Sequence, residues 1–468
     1  MTPPYTSLNP QPSSTSILVQ ESIEQPVMAY EYSKNKSLGG GWENYTYLPS
    51  GLQHVENPAM YKVGGLHAVN LGQSYQEGRY EIAHRLGNGG FSTTWLARDS
   101  RNNTYVALKF VTSATSEGYG DLKTLRDISS GSDTQAEYKY VSHLMDEFHV
   151  DGPNGRHLCL VTKALGPSVA NISTDLHRLG GKASQEVASQ AVSALDYLYS
   201  LGICHGDFTS ANILLQLHGT LDTLNVDELY ALLGNPVKED VRTRDGSAVG
   251  PSSPSHVVES IDFAAVPTLL SLQLKVIDFD QAFQTSTPPS EMLGTPPRCL
   301  SPEAIFDREV GVASDVWALG CLIFRIRSGY DLCGSFSGSR PYHALMQIVK
   351  TLGELPKKWR DRKFDRHGYP AEDSDDHAEV LEYEPLQAPL VDAVLEIERG
   401  PTGSSVGDSD SLEVTLWTPS SGYGSVDGEE STAYISKEEA DCLFDLLSKI
   451  FRFRPEERLG LQEIVDHP

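Results

Sequence analysis

The chain has few positive charges for its length. Its 468 residues include 37 lysines and arginines against 63 aspartates and glutamates, a formal net charge of −26. Phosphate backbones repel such a surface, so we do not expect direct binding of nucleic acid. The acidity has two interpretations: it serves a cationic substrate, or it reflects solubility and acidic loops.

Paired cysteines and long apolar segments are also lacking. The six cysteines are scattered without a Cys-x-x-Cys pair, which is typical of reduced thiols in an intracellular protein. The first basic residue is Lys34 and no early apolar stretch reaches signal-peptide length, so we expect neither a secretory signal nor a transit peptide. The longest apolar run, Val316 to Phe324, is too short to cross a bilayer, and no membrane association is expected.

The first half of the chain changes character twice. Residues 1 to about 55 are rich in Ser, Pro, Thr, Asn and Gly, which predicts a disordered tail. Short strand-like runs then predict a small antiparallel sheet: Tyr80 to Leu86, Thr94 to Ala97 and Tyr105 to Val111. Val141, Leu144, Met145 and Phe148 recur at helical spacing, which predicts a helix capped by Ser132 to Thr134.

Beyond Leu165 the pattern is mostly helical. In Ser184 to Tyr199 the apolar residues form one stripe, and Gly202 ends the predicted helix. Two long interruptions, 217 to about 270 and about 361 to 433, are rich in Pro, Gly, Ser and acidic residues. Insertions of that length inside a domain are normally functional or disordered.

A glycine-rich segment and a strand lysine point to a phosphate-binding site. The segment Leu86, Gly87, Asn88, Gly89, Gly90, Phe91, Ser92 lies between two strand-like runs, where its backbone can close over phosphates. Taken alone it is equally an ordinary glycine hairpin. Val106-Ala-Leu-Lys109 follows at the spacing of a third strand and offers a fixed ammonium group.

Such a lysine needs an anionic partner to stay charged and oriented in a half-buried cleft. We predict that Glu137 is this partner, because it precedes Val141 by four residues on the inward stripe of the predicted helix. Glu117 is the competing candidate.

Three polar residues further along the chain complete a set with the chemistry of phosphoryl transfer. In Ile203-Cys-His-Gly-Asp207, the carboxylate at 207 can accept the proton of a substrate hydroxyl, and Asn212 can ligate a divalent cation. Lys275-Val-Ile-Asp278 is a strand ending in an acid that can hold Mg²⁺ between phosphates. Each residue alone is an ordinary turn former, but the ordered series makes that interpretation hard to sustain.

These motifs resemble eukaryotic protein kinases, and within them the SR-protein kinases. Ser301-Pro-Glu303 resembles the kinase Ala-Pro-Glu motif, Asp315-Val-Trp-Ala-Leu-Gly320 resembles the buried helix behind the catalytic loop, and Arg458 resembles the partner of Glu303. Tyr61-Lys-Val-Gly-Gly-Leu-His67 and Phe91-Ser-Thr-Thr-Trp-Leu96 are similar to SR-protein kinase motifs, and the insertion at 217–270 falls where that family carries its spacer.

The resemblance implies a two-lobed α+β kinase domain over 56–468, with a small lobe at 80–164 and a mainly helical lobe at 165–468. It implies ATP and Mg²⁺ as cofactors, with Asp207, Lys109 and Glu137 in catalysis and Asn212 and Asp278 as metal ligands. The nucleotide-binding residues it implies are Leu86, Gly87, Asn88, Gly89, Gly90, Phe91, Ala107, Lys109, Thr162 as gatekeeper and Leu165 in the hinge.

The resemblance further implies a serine/threonine kinase, acting as a monomer in the cytoplasm, the nucleus or both. Its expected partners are protein substrates, as family members phosphorylate serines in Arg-Ser-rich splicing proteins. The locally basic run from Lys357 to Lys363 weakens the expectation of an Arg-rich peptide.

Several positions depart from the family pattern. Thr209 stands where the catalytic loop has a lysine that neutralises the transferring phosphoryl group, and loss of one such donor costs roughly 10²–10³ in rate. A catalytically impaired scaffold is therefore the alternative function. Gly206 replaces the arginine that many kinases use to bind an activation-loop phosphate, so we predict no phosphate-dependent switching. Asp280 follows the metal ligand closely, where it binds a second ion or repels nucleotide.

Overall fold

The computed structural model describes residues 46–131, 135–173, 179, 181–333, 341–365, 368–371, 378–380, 389–398 and 435–468. Most of the predicted tail, the proposed helix caps at 132–134 and most of the second insertion lie outside these residues.

A six-stranded antiparallel sheet forms the small lobe. Its strands are β1 (Ser74–Tyr75), β2 (Tyr80–Asn88), β3 (Ser92–Asp99), β4 (Thr104–Val111), β5 (Asp146–Gly152) and β6 (Gly155–Lys163), in the order β1-β2-β3-β4-β6-β5. Side chains alternate across the sheet, and one face buries a cluster that includes Tyr80, Trp95, Leu108 and Phe110. The three strands predicted here are confirmed.

The helix of the small lobe lies earlier in the chain than predicted. Short α1 (Ser113–Ser116) and then α2 (Gly120–Ser129) follow β4, whereas the segment from Asp146 is strand β5. The prediction of a helix through Val141 and Phe148 is wrong. Short apolar runs fit either period, and pairing with β6 decided the outcome because it satisfies the backbone of Asp146–Gly152.

The large lobe is mainly helical. Its longest described helix, α4, has the predicted stripe of Val187, Ala191, Leu195 and Leu198 buried, and Gly202 follows it with φ 73°. The described helices that follow the small lobe along the chain, of which α5 belongs to the first insertion, are α3 (Val169–Ile172), α4 (Gly181–Ser200), α5 (Val226–Leu233), α6 (Pro302–Phe306), α7 (Val312–Ser328), α8 (Pro341–Leu352), α9 (Lys357–Arg360), α10 (Leu390–Glu398), α11 (Lys437–Ile450) and α12 (Leu461–Val465). Among the described helices, none has both the length and the apolar character to cross a membrane.

Short strands next to the small lobe position the segments that carry the predicted catalytic residues. β7 (Leu165–Ser168), β9 (Ile213–Leu217) and β12 (Leu270–Val276) form a three-stranded sheet in the order β12-β9-β7. A second pair joins β8 (Ile203–Cys204) to β13 (Phe283–Gln284). The loop between β8 and β9 and the segment after β12 therefore lie side by side.

The first insertion, between β9 and β12, is folded and packs on the small lobe. It carries α5 and the hairpin of β10 (Lys238–Asp240) with β11 (His256–Val258). Asn225 and Glu228 form a capping box that starts α5. Tyr47, placed in the tail by composition, is buried and forms a backbone bridge to Thr243 of this insertion.

A last short pair, β14 (Lys363–Phe364) with β15 (Glu379–Val380), lies in the described part of the second insertion. The architecture, a small antiparallel sheet followed by a mainly helical lobe, confirms the predicted α+β two-lobed fold.

Candidate active site

A cavity of about 420 Å³ opens between the two lobes. That volume lies within the range of small-molecule sites. Eight of the ten residues predicted to bind nucleotide line it, while Gly90 and Phe91 do not belong to its wall: the lining ones are Leu86, Gly87, Asn88, Gly89, Ala107, Lys109, Thr162 and Leu165. β4 and β6 pair so that Ala107 faces Thr162, which fixes both at the inner wall of the cavity.

Lys109 lies between two carboxylates in this cleft. Its Nζ is 2.9 Å from Asp121 Oδ2 and 2.6 Å from Asp278 Oδ1. Burial acts to lower the pKa of Lys109, but the charges of Asp121 and Asp278 outweigh it and the pKa lies well above its usual value. Lys109 is therefore a fixed cation at the floor of the cleft.

The prediction that Glu137 pairs with Lys109 is wrong. Glu137 lies in a 3-10 helix, Ala136–Tyr140, and Lys109 is instead paired with Asp121 in the first turn of α2. The competing candidate, Glu117, is exposed at the end of α1. The physical reason is that α2 brings Asp121 to Lys109, whereas the 3-10 helix packs against α4 and β12 of the large lobe.

Asp121 was missed by the sequence analysis. It is 2% exposed, and its Oδ1 accepts the N–H of Phe279 at 3.0 Å while Oδ2 binds Lys109. One carboxylate thus joins the small-lobe lysine to the segment that carries Asp278. Asp121, Leu125 and Ile128 recur at helical spacing and are buried on one face of α2. This spacing was the available signal in the sequence, but the neighbouring glycine and serine residues obscured it.

Asp207 and Asn212 form the opposite side of the site. Asn212 Nδ2 donates to the Asp207 carboxylate at 2.8 Å and to its backbone carbonyl at 2.9 Å. Burial, and next the charge of Asp278, raise the pKa of Asp207 to about 7 against the lowering effect of the Asn212 hydrogen bond. The other carboxylate oxygen, Oδ1, is buried without a hydrogen-bond partner among the described residues.

A buried carboxylate holds the catalytic loop from behind. Asp315, at the start of α7, accepts the N–H of His205 at 2.7 Å and of Gly206 at 3.0 Å. Burial raises the pKa of Asp315 to about 6, although these two hydrogen bonds act to lower it. The predicted buried helix behind the loop is confirmed.

Backbone geometry explains why residue 206 is a glycine. Gly206 has φ 77°, and a Cβ there would lie 2.4 Å from the carbonyl oxygen of Gln281. Its own carbonyl accepts a hydrogen bond from Thr295 Oγ1 at 2.5 Å. An arginine at this position would strain the backbone and clash, so the loop here excludes the phosphate-binding arginine that many kinases have.

The segment after β12 brings two acids toward the cleft. Asp278 has φ 66°, a strained conformation for a non-glycine residue, and its pKa is lowered because Lys109 outweighs the effect of burial. Burial, and then the neighbouring charge of Asp278, raise the pKa of Asp280 to about 6. Thr209 is 3% exposed within the loop and offers no charge there.

The predicted pair of Glu303 and Arg458 is confirmed. Both guanidinium ends donate to the carboxylate at 2.6 Å, and both residues are buried. Arg458 also lies 5.0 Å over the Trp317 ring and donates to the carbonyl of Ala313. This bidentate pair ties the segment at the start of α6 to the end of the chain.

The first insertion contributes to the cleft, and no sequence motif indicated this. Ile261, Asp262 and Phe263 are part of the cavity wall, and Phe263 is 4% exposed. The sequence of this insertion contains no signal that places it there, because the contact depends on how the insertion returns over the small lobe.

The sequence matches the family model for the protein kinase domain over residues 80–224 and 268–468. The match covers most of the chain, and it omits the centre of the first insertion. The chain therefore belongs to the protein kinase family, and it is similar to serine/threonine kinases of the SR-protein kinase type.

The relatives that this sequence resembles are named as protein kinases. The serine/threonine-protein kinase SRPK of Physarum polycephalum is 29% identical over 87% of this chain and 89% of its own length. Protein kinase dsk1 of Schizosaccharomyces pombe is 28% identical over 55% of this chain and 49% of its own length, and human SRSF protein kinase 3 is 33% identical over 36% and 30%. A solved crystal structure of a kinase domain matches with a TM-score of 0.52 and 17% identity, covering 86% of this chain and 98% of that one, which supports the fold.

Proposed function

We propose that the chain is an active kinase that transfers the γ-phosphate of ATP to serine or threonine hydroxyls of proteins. The observation that carries the proposal is one constellation. Lys109 is held between Asp121 and Asp278, and Asp207 with Asn212 faces Asp278 closely enough for its charge to raise the pKa of Asp207. Each group has a defined role in phosphoryl transfer.

The residues present fit a magnesium ion. Asp278 supplies a carboxylate, and Asn212 uses its amide nitrogen within the loop, which leaves its carbonyl oxygen as a ligand. Within the described ranges no three acidic, histidine or cysteine side chains form a closed metal cage. Mg²⁺ is usually held by one or two carboxylates together with the substrate phosphates. When bound, the ion would neutralise charge on the phosphate oxygens.

The chain's own residues would do the rest. Lys109 would bind the α- and β-phosphates, and Asp207 would orient the substrate hydroxyl and take its proton. The hydroxyl oxygen forms a bond to the γ-phosphorus as the bond from that phosphorus to the oxygen of ADP breaks. The buried Oδ1 of Asp207, without a partner among the described residues, is an acceptor available for that proton.

The test is transfer of labelled phosphate from Mg²⁺-ATP to an Arg-Ser peptide. The intact chain should label the peptide, and Asp207→Asn, which keeps the shape of the side chain but removes the base, should lower labelling at least 100-fold, the lower end of what general-base catalysis contributes. Equal labelling by the two proteins would end the proposal.

A catalytically impaired, nucleotide-binding scaffold is the second candidate. Thr209 favours it, because this buried hydroxyl takes the place of a cation that would neutralise the transferring group. Loss of such a donor typically costs about 2.7–4 kcal/mol of transition-state stabilisation.

Thr209→Lys separates the two candidates. If the chain is active but slow, the lysine should raise kcat with little change in nucleotide affinity. Tight nucleotide binding together with no turnover, in both the original chain and Thr209→Lys, would favour the scaffold.

We extend the proposal to Arg-Ser-rich protein substrates, bound by a monomer in the cytoplasm or nucleus. The names of the relatives support this substrate class. The basic run is partly neutralised, since Lys358 pairs with Asp307 and Arg360 with Glu354, which lessens its repulsion of a cationic peptide. A peptide array phosphorylated with Mg²⁺-ATP measures the preference directly, and phosphorylation without enrichment of basic peptides would contradict it.

A further inference from the structure

A fully buried arginine lies at the root of the glycine-rich loop. Arg85, on β2, is 0% exposed, and its guanidinium pairs with Glu56, which is itself 2% exposed and accepts a hydrogen bond from Tyr61. Burying a charge in this way is unfavourable unless its donors are satisfied. The hydrogen-bond partners of Arg85 therefore identify the segments that this arginine connects.

The two Nη atoms of Arg85 also reach two other segments, while its Nε has no hydrogen-bond partner among the described residues. Nη1 donates to the carbonyl of Val258 at 2.8 Å, at the end of β11 in the first insertion. Nη2 donates to Asn88 Oδ1 at 2.7 Å, inside the glycine-rich loop. The Arg85 side chain thus connects three segments: the segment before β1 that contains Glu56, the first insertion, and the glycine-rich loop that lines the cleft.

The backbone of the insertion reinforces this connection. Ile261 N donates to the carbonyl of Arg85 at 3.0 Å, and Tyr230 Oη donates to the carbonyl of Ala83 at 2.6 Å. Both acceptors belong to β2, one and three residues before Leu86. Ile261 then continues into Asp262 and Phe263 in the cavity wall.

We propose that the first insertion is a working part of the nucleotide site, and that Arg85 is a positioning residue through which it holds the glycine-rich loop over the phosphates. Arg85 itself does not line the cavity, whereas Asn88 does, so Arg85 acts through Asn88. The inference rests on the proposed nucleotide site. It adds that the affinity for the phosphates of the nucleotide depends on how firmly Arg85 holds the glycine-rich loop in place, and not only on the glycines of that loop.

The distinguishing measurement compares ligands that share adenosine but differ in phosphates. Arg85→Lys keeps a positive charge beside Glu56 but cannot donate to Val258 and Asn88 together. The dissociation constants of ATP and ADP should rise about tenfold, the loss expected for one hydrogen bond of a charged group, while that of adenosine stays unchanged.

Arg79→Lys is the matched control. Arg79 lies just before the same strand and is ion-paired with Asp99 and Asp146, away from the cavity wall. This substitution should leave all three affinities unchanged. Unchanged ATP affinity in Arg85→Lys, or an equal loss of ATP and adenosine affinity, would overturn the inference, because the second result indicates general damage to the lobe.

Hydrogen exchange separates this inference from the proposed function. In the nucleotide-free chain, amides of residues 86–92 should exchange faster in Arg85→Lys and in the exposed-loop variant Asn88→Ala than in Arg79→Lys. Unchanged exchange in Asn88→Ala, which leaves every buried residue in place, overturns the inference even if Arg85→Lys does not fold. Failure of the unsubstituted chain to bind ATP or adenosine overturns the proposed function, while the exchange result still decides this inference.

Discussion

Asp121 shows how much one side chain decides at the residue scale. It binds Lys109 and the backbone of Phe279 together, so it couples the position of the lysine to that of Asp278. Aspartate is one methylene shorter than glutamate, and α2 must therefore approach the sheet closely for this pair to form. The sequence alone therefore could not identify α2 as the segment that supplies the partner of Lys109, because this depends on how closely the helix approaches the sheet.

We predict that Asp121→Asn lowers kcat/KM at least tenfold. The amide cannot carry the charge that keeps Lys109 oriented, and removing one partner of a largely buried ion pair costs more than removing one of an exposed pair. Steady-state phosphorylation of an Arg-Ser peptide measures the effect. Glu137→Gln is the control and should match the original chain; a larger loss in Glu137→Gln than in Asp121→Asn would refute this assignment of the lysine partner.

Gly206 provides a second test, on stability. We expect Gly206→Ala to lower the free energy of unfolding by about 1–3 kcal/mol, because alanine at φ 77° is strained and its Cβ meets the Gln281 carbonyl. Urea denaturation measures the change. Gly250→Ala, with an ordinary φ and nothing near its Cβ, should change stability by less than roughly 0.5 kcal/mol. Equal effects of the two substitutions would contradict the strain argument.

At the scale of elements, the buried pair of Glu303 and Arg458 connects α6 to the segment before α12. Ser314, near the start of α7, also donates to Glu303 at 3.0 Å. Three elements of the large lobe therefore meet at one carboxylate. The basis of this contact is chemical, since each charge would be costly to bury without the other.

We predict that Arg458→Met destabilises the chain by about 3–5 kcal/mol, because Glu303 is left charged and buried. The midpoint of chemical denaturation measures the loss. Arg454→Met, at an exposed pair with Glu457, is the matched control and should cost under about 1 kcal/mol. A similar loss for both would show that the buried pair is not special.

At the scale of the whole molecule, buried histidines make stability depend on pH. Burial, and then the nearby His157, lower the pKa of His67 to about 4, and burial lowers that of His205 to about 4. The unfolded chain binds protons at these sites near pH 6.5, before the folded chain does. The stability that these two neutral histidines contribute is therefore fully present above pH 6.5, and it is lost as the pH drops toward 4.

His67→Phe tests this dependence. The phenyl ring can keep the stack on Phe110 but cannot bind a proton, so the melting temperature should fall less steeply between pH 6.5 and 4. Each such histidine contributes at most roughly 3 kcal/mol over that interval. His218→Gln, at an exposed site, should leave the slope unchanged. A slope unaltered by His67→Phe would show that other groups govern acid sensitivity.

The sequence by itself determined much of this protein. Motifs such as the strand lysine, the Asp207–Asn212 loop and Asp278 have local chemical signatures, and strong periodicity marked the α4 helix and three strands of the small sheet. These features are readable because they depend on residue type and on spacing within one element. The Glu303–Arg458 pair was predictable from the family resemblance, although 155 residues separate its members.

Only the tertiary structure decided which acid meets Lys109 and what covers the glycine-rich loop. Pairing of β5 with β6 turned a helix-like pattern into a strand and left α2, with Asp121, beside the lysine. Burial of Arg85 brought together segments at 56, 88 and 258. Both outcomes depend on long-range packing, which selects among segments whose local sequences are equally acceptable.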